Sequence, residues 1–345
     1  MMRQDMGTMG ITERGFHNRR RKSIIIFLIL LVIWACFAVV LLMCGDKNYS
    51  LGPVIRAIMG EDIKGVTYAV RTIRIPRVLI GTMAGISFGI AGNTFQKIMR
   101  NPLASPDVMG ISSGASAVAV FSMMVLHLSG WVVSVLAMAG GIGVATLILA
   151  ISQRKGFSVN RMILTGIGLQ AMLQAVINFV ILKTSDYDVS DALRWLSGSL
   201  NGVRMKDVYS FGFIMLAAII VLLALTRELS ILCLGDEMPI LLGMNTELVR
   251  SLLIYGAVVL CAGTTAVTGP LASVAFMSGP IAARILNTGE SGSLHAGMIG
   301  GVIVLFSETV GQFAFATRYP VGVITGIIGA PYLIYLLGKM NSKSA

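Results

Sequence analysis

Long apolar runs without charge, separated by short polar loops, constrain this sequence more than any other feature. Residues 78–96 carry no charged side chain, and residues 108–153 stay uncharged across an HLSG turn at 127–130 that divides them in two. A helix of about 20 apolar residues crosses a hydrocarbon core of about 30 Å. Only 12% of all residues are charged and the mean hydropathy is +0.83, a composition typical of a polytopic membrane protein.

The same criterion, applied along the whole chain, predicts an all-α fold with about ten transmembrane helices. The expected organisation is a basic cytoplasmic tail at 1–22, one transmembrane domain at 23–338 and a cytoplasmic tail at 339–345. Within the domain, the polar segment 227–250 is expected to project into the cytoplasm. The spans are predicted at 23–44, 78–96, 108–153 (two spans), 162–182, 208–226, 251–283 (two spans), 291–307 and 319–338.

The distribution of basic residues predicts that both termini are cytoplasmic. A basic cluster at 19–22 precedes the first span, and the loops on the same side carry a modest excess of Lys and Arg. The net charge of +11 is therefore assigned to topology, and no nucleic-acid partner is expected. The four scattered cysteines lack a CxxC pair and the three histidines lie far apart, so no metal site is expected.

The sequence lacks the common motifs of catalysis and nucleotide binding. It contains no Walker A, HExxH or Gly-x-Ser-x-Gly pattern, so the chain is not expected to be an enzyme. Energy for transport would then come from another chain or from an ion gradient. The spans contain almost no acidic residues to carry ions, which argues against an ion-gradient-driven secondary transporter. A membrane enzyme or scaffold is a further alternative without a visible catalytic constellation.

Two polar motifs flank the second predicted span. On the outer side, Arg74 and Arg77 are either interfacial anchors or a docking site for an external acidic protein. On the inner side, the segment 100–107 (RNPLASPD) either ends one helix and separates it from the next, or contacts a cytoplasmic partner. Asp107 is expected in the first turn of the next span.

Other polar positions also leave two interpretations open. Residues 235–245 predict a short amphipathic helix between glycine hinges, which lies on lipid or faces a partner. Glu308 is either an intramembrane functional group or reaches the outer surface. Polar side chains within the fifth span form interhelical hydrogen bonds or line a pathway; the candidates are Gln170, Gln174 and Asn178.

Several of these motifs together resemble one family. RIPRVL at 74–79, RNPLASPDVMGISSGAS at 100–116, LGDEMPILLGMN at 234–245 and PVGVITGIIGAP at 320–331 are similar to the FecCD-type permeases of ATP-binding-cassette importers for iron–siderophores, haem and cobalamin. The resemblance implies a type II ABC importer permease fold in a bacterial plasma (inner) membrane. It implies a second permease chain, identical or paralogous, two cytoplasmic ATPases and an extracytoplasmic binding protein. ATP and magnesium would be bound by the ATPases, and no cofactor by this chain.

The resemblance also implies roles for individual residues. Binding-protein docking falls to Arg74, Arg77 and Arg318. The family motif at the inner face comprises Arg100, Asn101, Pro102, Leu103, Ala104 and Pro106. ATPase coupling falls to Gly235, Asp236, Glu237, Met238, Leu241, Leu242 and Gly243.

The sequence departs from the family pattern at three places. Ile281 replaces a histidine found in many relatives, Glu308 replaces a common aspartate, and Arg318-Tyr319 replaces a Glu-Leu pair. The expected function is the permease subunit of an ATP-driven ferric–siderophore importer, with haem or cobalamin as alternative substrates.

Overall fold

The computed structural model describes residues 2–154, 156–184, 186–235, 237–286 and 292–341. Within these ranges the chain forms α-helices joined by short connections, and a π-helical segment at Tyr68–Arg74 leads directly into α3. The α-helices are α1 (Met2–Met43), α2 (Leu51–Met59), α3 (Ile75–Ile98), α4 (Ile111–Met124), α5 (Trp131–Ser152), α6 (Val159–Lys183), α7 (Asp186–Leu196), α8 (Met205–Ala224), α9 (Thr226–Leu232), α10 (Glu237–Leu241), α11 (Thr246–Thr268), α12 (Val274–Leu286), α13 (Ser293–Phe313) and α14 (Val321–Asn341).

The helices confirm the predicted all-α membrane fold. Over the described residues, eight helical stretches are long and apolar enough to cross a bilayer, and α4 and α12 are two shorter apolar helices. These ten elements coincide in sequence with the ten predicted spans. The continuous run 108–153 is divided between α4 and α5, as the HLSG turn predicted.

Helix α3 lies at the centre of the bundle. It is buried along most of its length and packs against α8, α11, α12 and α13. Two of its glycines lie against the backbone of α13: a Cβ atom on Gly89 would lie 2.2 Å from the Ala296 carbonyl oxygen. Small residues permit such close approach of helix backbones in lipid. These backbone contacts therefore fix the position of α3 relative to α13.

Two polar segments between the predicted spans contain helices that the search for uncharged runs did not predict. Residues 45–77 include α2 and the π-helical segment, and residues 183–207 include α7. The helices α2 and α7 are only 9 and 11 residues long and carry charged side chains, such as Arg56 on α2 and Arg194 on α7. A search for uncharged runs detects only helices that are apolar all round, and it misses helices with one polar face.

The ends of the spans differ from the prediction as well. Helix α1 extends back to Met2 through the predicted basic tail, and helical structure begins ten residues before Val78. Arg74 and Arg77 consequently lie inside a helical stretch, where Pro76 occupies the first turn of α3 without breaking it. Asp107 precedes α4, which begins at Ile111, so it is not a first-turn residue.

Candidate docking and coupling surfaces

Arg74, at the start of α3, forms hydrogen bonds with the end of α1 and with the segment that follows it. Its Nη1 donates a hydrogen bond to the Leu42 carbonyl oxygen at 2.8 Å, and its Nη2 donates to the Lys47 carbonyl oxygen at 2.6 Å. Its guanidinium lies 4.8 Å from the centre of the Tyr49 ring, and only 7% of the residue is exposed. Arg74 thus has a structural role within the chain, and its docking role remains a prediction.

Arg77 connects three parts of the chain at the predicted outer end. Its Nη2 donates to Asn201 Oδ1 at 2.6 Å, and its Nε lies 3.6 Å from Glu308 Oε1. Glu308 is only 2% exposed, and its Oε1 also accepts a hydrogen bond of 2.9 Å from Gln312 Nε2. The side chain of Glu308 turns inward towards α3 and is enclosed by protein, and both interpretations of its depth in the membrane remain predictions.

Arg318 is the third predicted docking arginine and is the most accessible of them. It forms an ion pair with Asp46, and the side chains are 48% and 84% exposed respectively. The pair connects the segment before α14 to the segment after α1. A contact of these arginines with a partner remains a prediction.

A basic cavity brings the three arginines together. It has a volume of about 460 Å³ and is lined also by Lys47, Lys64 and Asp46. Five basic side chains and one lining carboxylate give this cavity a positive potential. The sequence analysis missed both lysines because they lie in the 45–77 segment, outside any motif, and only the three-dimensional fold brings them to the arginines.

The family motif at the predicted inner end closes α3 and contacts α9. Arg100 has a left-handed backbone conformation (φ 49°), and its Nη2 donates to the Leu232 carbonyl oxygen at 3.2 Å. Asn101 Oδ1 accepts a hydrogen bond of 2.9 Å from the backbone N–H of Leu103. Ala104 and Pro106 are buried, while Pro102 and Leu103 are partly exposed. The motif thus forms the turn between α3 and α4 in this chain, and a partner contact remains a prediction.

The carboxyl group of Asp107, just after this motif, is enclosed by protein. Ser112 Oγ donates a hydrogen bond of 2.5 Å to its Oδ1, whereas its Oδ2 has no hydrogen-bond partner among the described residues. Burial raises the pKa of Asp107 to about 6, although the hydrogen bond from Ser112 opposes the shift. Asp107 therefore titrates within the range of moderately acidic pH.

The predicted coupling segment forms a short helix, α10, with an exposed apolar surface. Gly235 (φ 132°) precedes α10, and Gly243 (φ 74°) ends it by donating to the Ile240 carbonyl oxygen at 2.9 Å. Pro239 faces the protein, and Glu237 is exposed. Asp236 lies outside the described residues. Four large apolar side chains are between 49% and 78% exposed: Met238, Ile240, Leu241 and Leu242.

This surface is continuous with a second cavity at the predicted inner end. The cavity has a volume of about 580 Å³ and is lined by Arg100, Phe157, Ile240 and Arg250, among others. The Arg250 guanidinium lies 4.1 Å from the centre of the Phe157 ring. The coupling segment therefore lies next to the family motif and to the connection between α5 and α6. Ile240 was not among the predicted coupling residues, because the helical spacing of the other three apolar residues leaves it out.

The candidate pathway residues lie on α6, a helix with a largely uncovered surface. Gln174 and Asn178 are exposed and hydrogen-bonded to each other, with 3.3 Å between Gln174 Nε2 and Asn178 Oδ1. Gln170 is partly buried against Gly110. Most of α6 is exposed, including Leu164, Phe179 and Leu182. Within this chain the three polar residues do not form an enclosed channel, and their lining role remains a prediction.

The fold of this chain is shared with a solved structure. One solved structure, a metal-chelate type ABC transporter in an inward-facing conformation, matches with a TM-score of 0.80 and 22% identity; the match covers 91% of this chain and 98% of that one. The chain therefore shares the fold of that transporter chain.

The family follows from the sequence itself. The model of the FecCD transport family matches residues 26–339, and the chain belongs to this family, which confirms the resemblance seen in the motifs. Members are permease subunits of ABC transporters and are not themselves enzymes.

Two curated relatives are similar over nearly their whole length. The ferric enterobactin transport system permease protein FepG of Escherichia coli is 34% identical, over 91% of this chain and 96% of the relative. The Fe(3+)-citrate import system permease protein YfmE of Bacillus subtilis is 32% identical, over 93% of this chain and 96% of the relative.

Proposed function

We propose that this chain is the membrane-spanning permease subunit of an ATP-driven importer of ferric siderophores. The observation that carries the proposal is the similarity to FepG, whose name gives ferric enterobactin as its substrate, along 91% of the chain. YfmE, named for ferric citrate, supports an iron chelate as the class of substrate. Import of haem or cobalamin is the alternative within the same class of importer.

Three uncovered surfaces of the chain support the proposed partners of the permease. An acidic extracytoplasmic binding protein, a lipoprotein or a periplasmic protein, docks at the basic cavity, where complementary charge steers association. A second permease chain, identical or paralogous, covers the exposed surface of α6, so that the pathway forms between two chains. Two cytoplasmic ATPases, which bind the ATP and magnesium, contact the apolar surface of α10. This arrangement requires both termini of the chain to be cytoplasmic in a bacterial plasma (inner) membrane.

The packing of the helices supports a mechanism by which the ATPases move the bundle. Helix α10 contacts α9, and both α9 and α11 pack against the central helix α3. A force on α10 is therefore transmitted to α3 through packed helices rather than through a flexible linker. Tilting of these helices opens a pathway with weak, distributed contacts, because transport requires release of the chelate as well as binding.

Uptake of radiolabelled iron on several siderophores tests the substrate assignment. Cells that lack this gene are compared with cells restored with the wild-type gene. We expect loss of uptake for one siderophore class and full recovery on restoration. Loss of haem or cobalamin uptake with every siderophore spared would overturn the substrate assignment and leave the family unchanged.

The energy source is tested in the same cells. We expect uptake to survive an uncoupler of the proton gradient for as long as cellular ATP is maintained, and to stop when ATP is depleted. The opposite pattern would show a secondary transporter, in which the gradient and not ATP drives uptake.

A further inference from the structure

Two arginines of the basic cavity already have an acidic partner within this chain. Arg77 is next to Glu308, and Arg318 is paired with Asp46. We propose that the binding protein docks by ion-pair exchange, in which its carboxylates replace Glu308 at Arg77 and Asp46 at Arg318. This inference rests on the importer function proposed above, and it specifies how the docking surface of that importer works.

The contact between Arg77 and Glu308 is incomplete, which leaves Arg77 able to accept a better partner. The distance of 3.6 Å between Arg77 Nε and Glu308 Oε1 exceeds that of a good hydrogen bond. Arg77 Nε is buried without a hydrogen-bond partner among the described residues, while the side chain as a whole is 18% exposed and lines the cavity. Because Nε is buried, the Arg77 side chain must turn towards the cavity before a carboxylate that enters there can satisfy this donor.

The ion pair between Arg318 and Asp46 is easily broken because it is exposed to water. Both side chains are substantially exposed, and such surface pairs contribute little to stability because water competes for both charges. Lys47 and Lys64 line the same cavity and add to its attraction for an acidic surface. Arg74 does not take part in the exchange, because its guanidinium is bound to two backbone carbonyl oxygens of the chain.

The exchange at Arg77 changes the packing of α3 against α13. Glu308 is 2% exposed, so it keeps only the hydrogen bond from Gln312 when Arg77 turns to an external carboxylate. Leaving the buried carboxylate without its cation costs free energy that opposes docking, and it weakens the contact between the two helices at this end. Since α3 and α13 are otherwise in backbone contact at their glycines, a displacement caused by docking at this end is transmitted along both helices.

Binding measurements on the assembled transporter test the exchange. The permease with its ATPases is placed in nanodiscs, and the purified binding protein of the same import system is the probe in biolayer interferometry. Glu308→Gln removes the internal competitor at Arg77, so we expect affinity to rise about tenfold, the lower end of the coupling measured for close charge pairs at interfaces. Asp46→Asn should raise affinity about twofold, as expected for an exposed pair.

Matched variants separate exchange from a general change in charge. Glu61→Gln removes an exposed carboxylate that is paired with Arg56 on α2, 3.5 Å away and outside the cavity lining, and should leave affinity unchanged. In an Arg77→Gln background, Glu308→Gln should have no effect on affinity, because the cation for which the two carboxylates compete is absent.

The binding measurements distinguish a failure of ion-pair exchange from a failure of the docking assignment. If Arg77→Gln and Arg318→Gln weaken binding but Glu308→Gln and Asp46→Asn do not strengthen it, docking stands and exchange is wrong. An equal effect of Glu61→Gln, or an effect of Glu308→Gln that persists without Arg77, also overturns exchange. If neither arginine variant weakens binding, the docking surface itself is wrong. Should Glu308→Gln fail to assemble, the exposed Asp46→Asn variant decides the outcome.

Discussion

Gly85 on α3 and Gly300 on α13 are in backbone contact: a Cβ atom on Gly85 would lie 2.3 Å from the Gly300 carbonyl oxygen. The neighbouring atoms are backbone and have no flexible side chain that could move aside. The central helix of the permease therefore depends on two small residues that face each other in the bilayer.

Gly85→Ala should destabilise the permease by about 1–3 kcal/mol, because the added methyl group separates α3 from α13. Thermal unfolding in detergent, followed by size-exclusion chromatography at increasing temperature, measures the change. Gly143→Ala on α5 is the matched control, since a Cβ atom there has no neighbour within 4 Å. Equal melting temperatures for the two variants would contradict the close contact.

Arg74→Lys should destabilise the fold although it keeps the positive charge. An ammonium group cannot reproduce the fork of donors that holds the Leu42 and Lys47 carbonyl oxygens, and each lost charged hydrogen bond costs about 1.5–3 kcal/mol. Limited proteolysis of the segment between α1 and α2 measures the loosened connection. Arg318→Lys, at an exposed position, should leave the proteolysis rate unchanged. If both variants are cut at the wild-type rate, the anchoring role of Arg74 is wrong.

Asp107 should make the stability of the permease depend on pH. Its pKa is raised from 3.8 to about 6 in the fold, so the folded state favours the neutral acid and ionisation is unfavourable. The resulting penalty is absent below about pH 4, grows as the pH rises towards 6, and then stays constant at roughly 3 kcal/mol.

The matched variant for this prediction is Asp107→Asn, which keeps an acceptor for Ser112 and cannot ionise. We expect this variant to be more stable than wild type at pH 7.5 and to lose about 1 kcal/mol of that advantage at pH 5. Unfolding in detergent at the two pH values provides the comparison. An advantage that is independent of pH would show that Asp107 does not titrate as described.

The sequence predicted the helices that are apolar all round and missed those with a polar face. The spans around α3 and α6 follow from uncharged length alone, whereas α2 and α7 are amphipathic or polar and leave no such signal. The motif residues were found, but their contacts were not. The carbonyl oxygens bound by Arg74 and the carboxylate beside Arg77 lie on distant parts of the chain, and a single sequence does not reveal such pairings.

The basic cavity illustrates the same limit. Lys47 and Lys64 belong to no motif, and only the arrangement of α1, α2 and the π-helical segment places them beside Arg318. The exposed surface of α10, in contrast to the basic cavity, could be predicted from the sequence. Glycine hinges and helical spacing of apolar residues are local features, so the sequence was sufficient to predict that short helix.

The central claim, that ATP hydrolysis by partner subunits drives transport through α10, is tested most directly in proteoliposomes. Permease, ATPases and binding protein are reconstituted, and uptake of the ferric siderophore is measured with ATP supplied on the ATPase side. We predict that Leu241→Asp/Leu242→Asp abolishes uptake and releases the ATPases from the membrane, since charged groups cannot enter an apolar interface. The conservative variant Leu241→Met/Leu242→Met should retain both. Wild-type uptake by the aspartate variant, correctly inserted, would contradict the account.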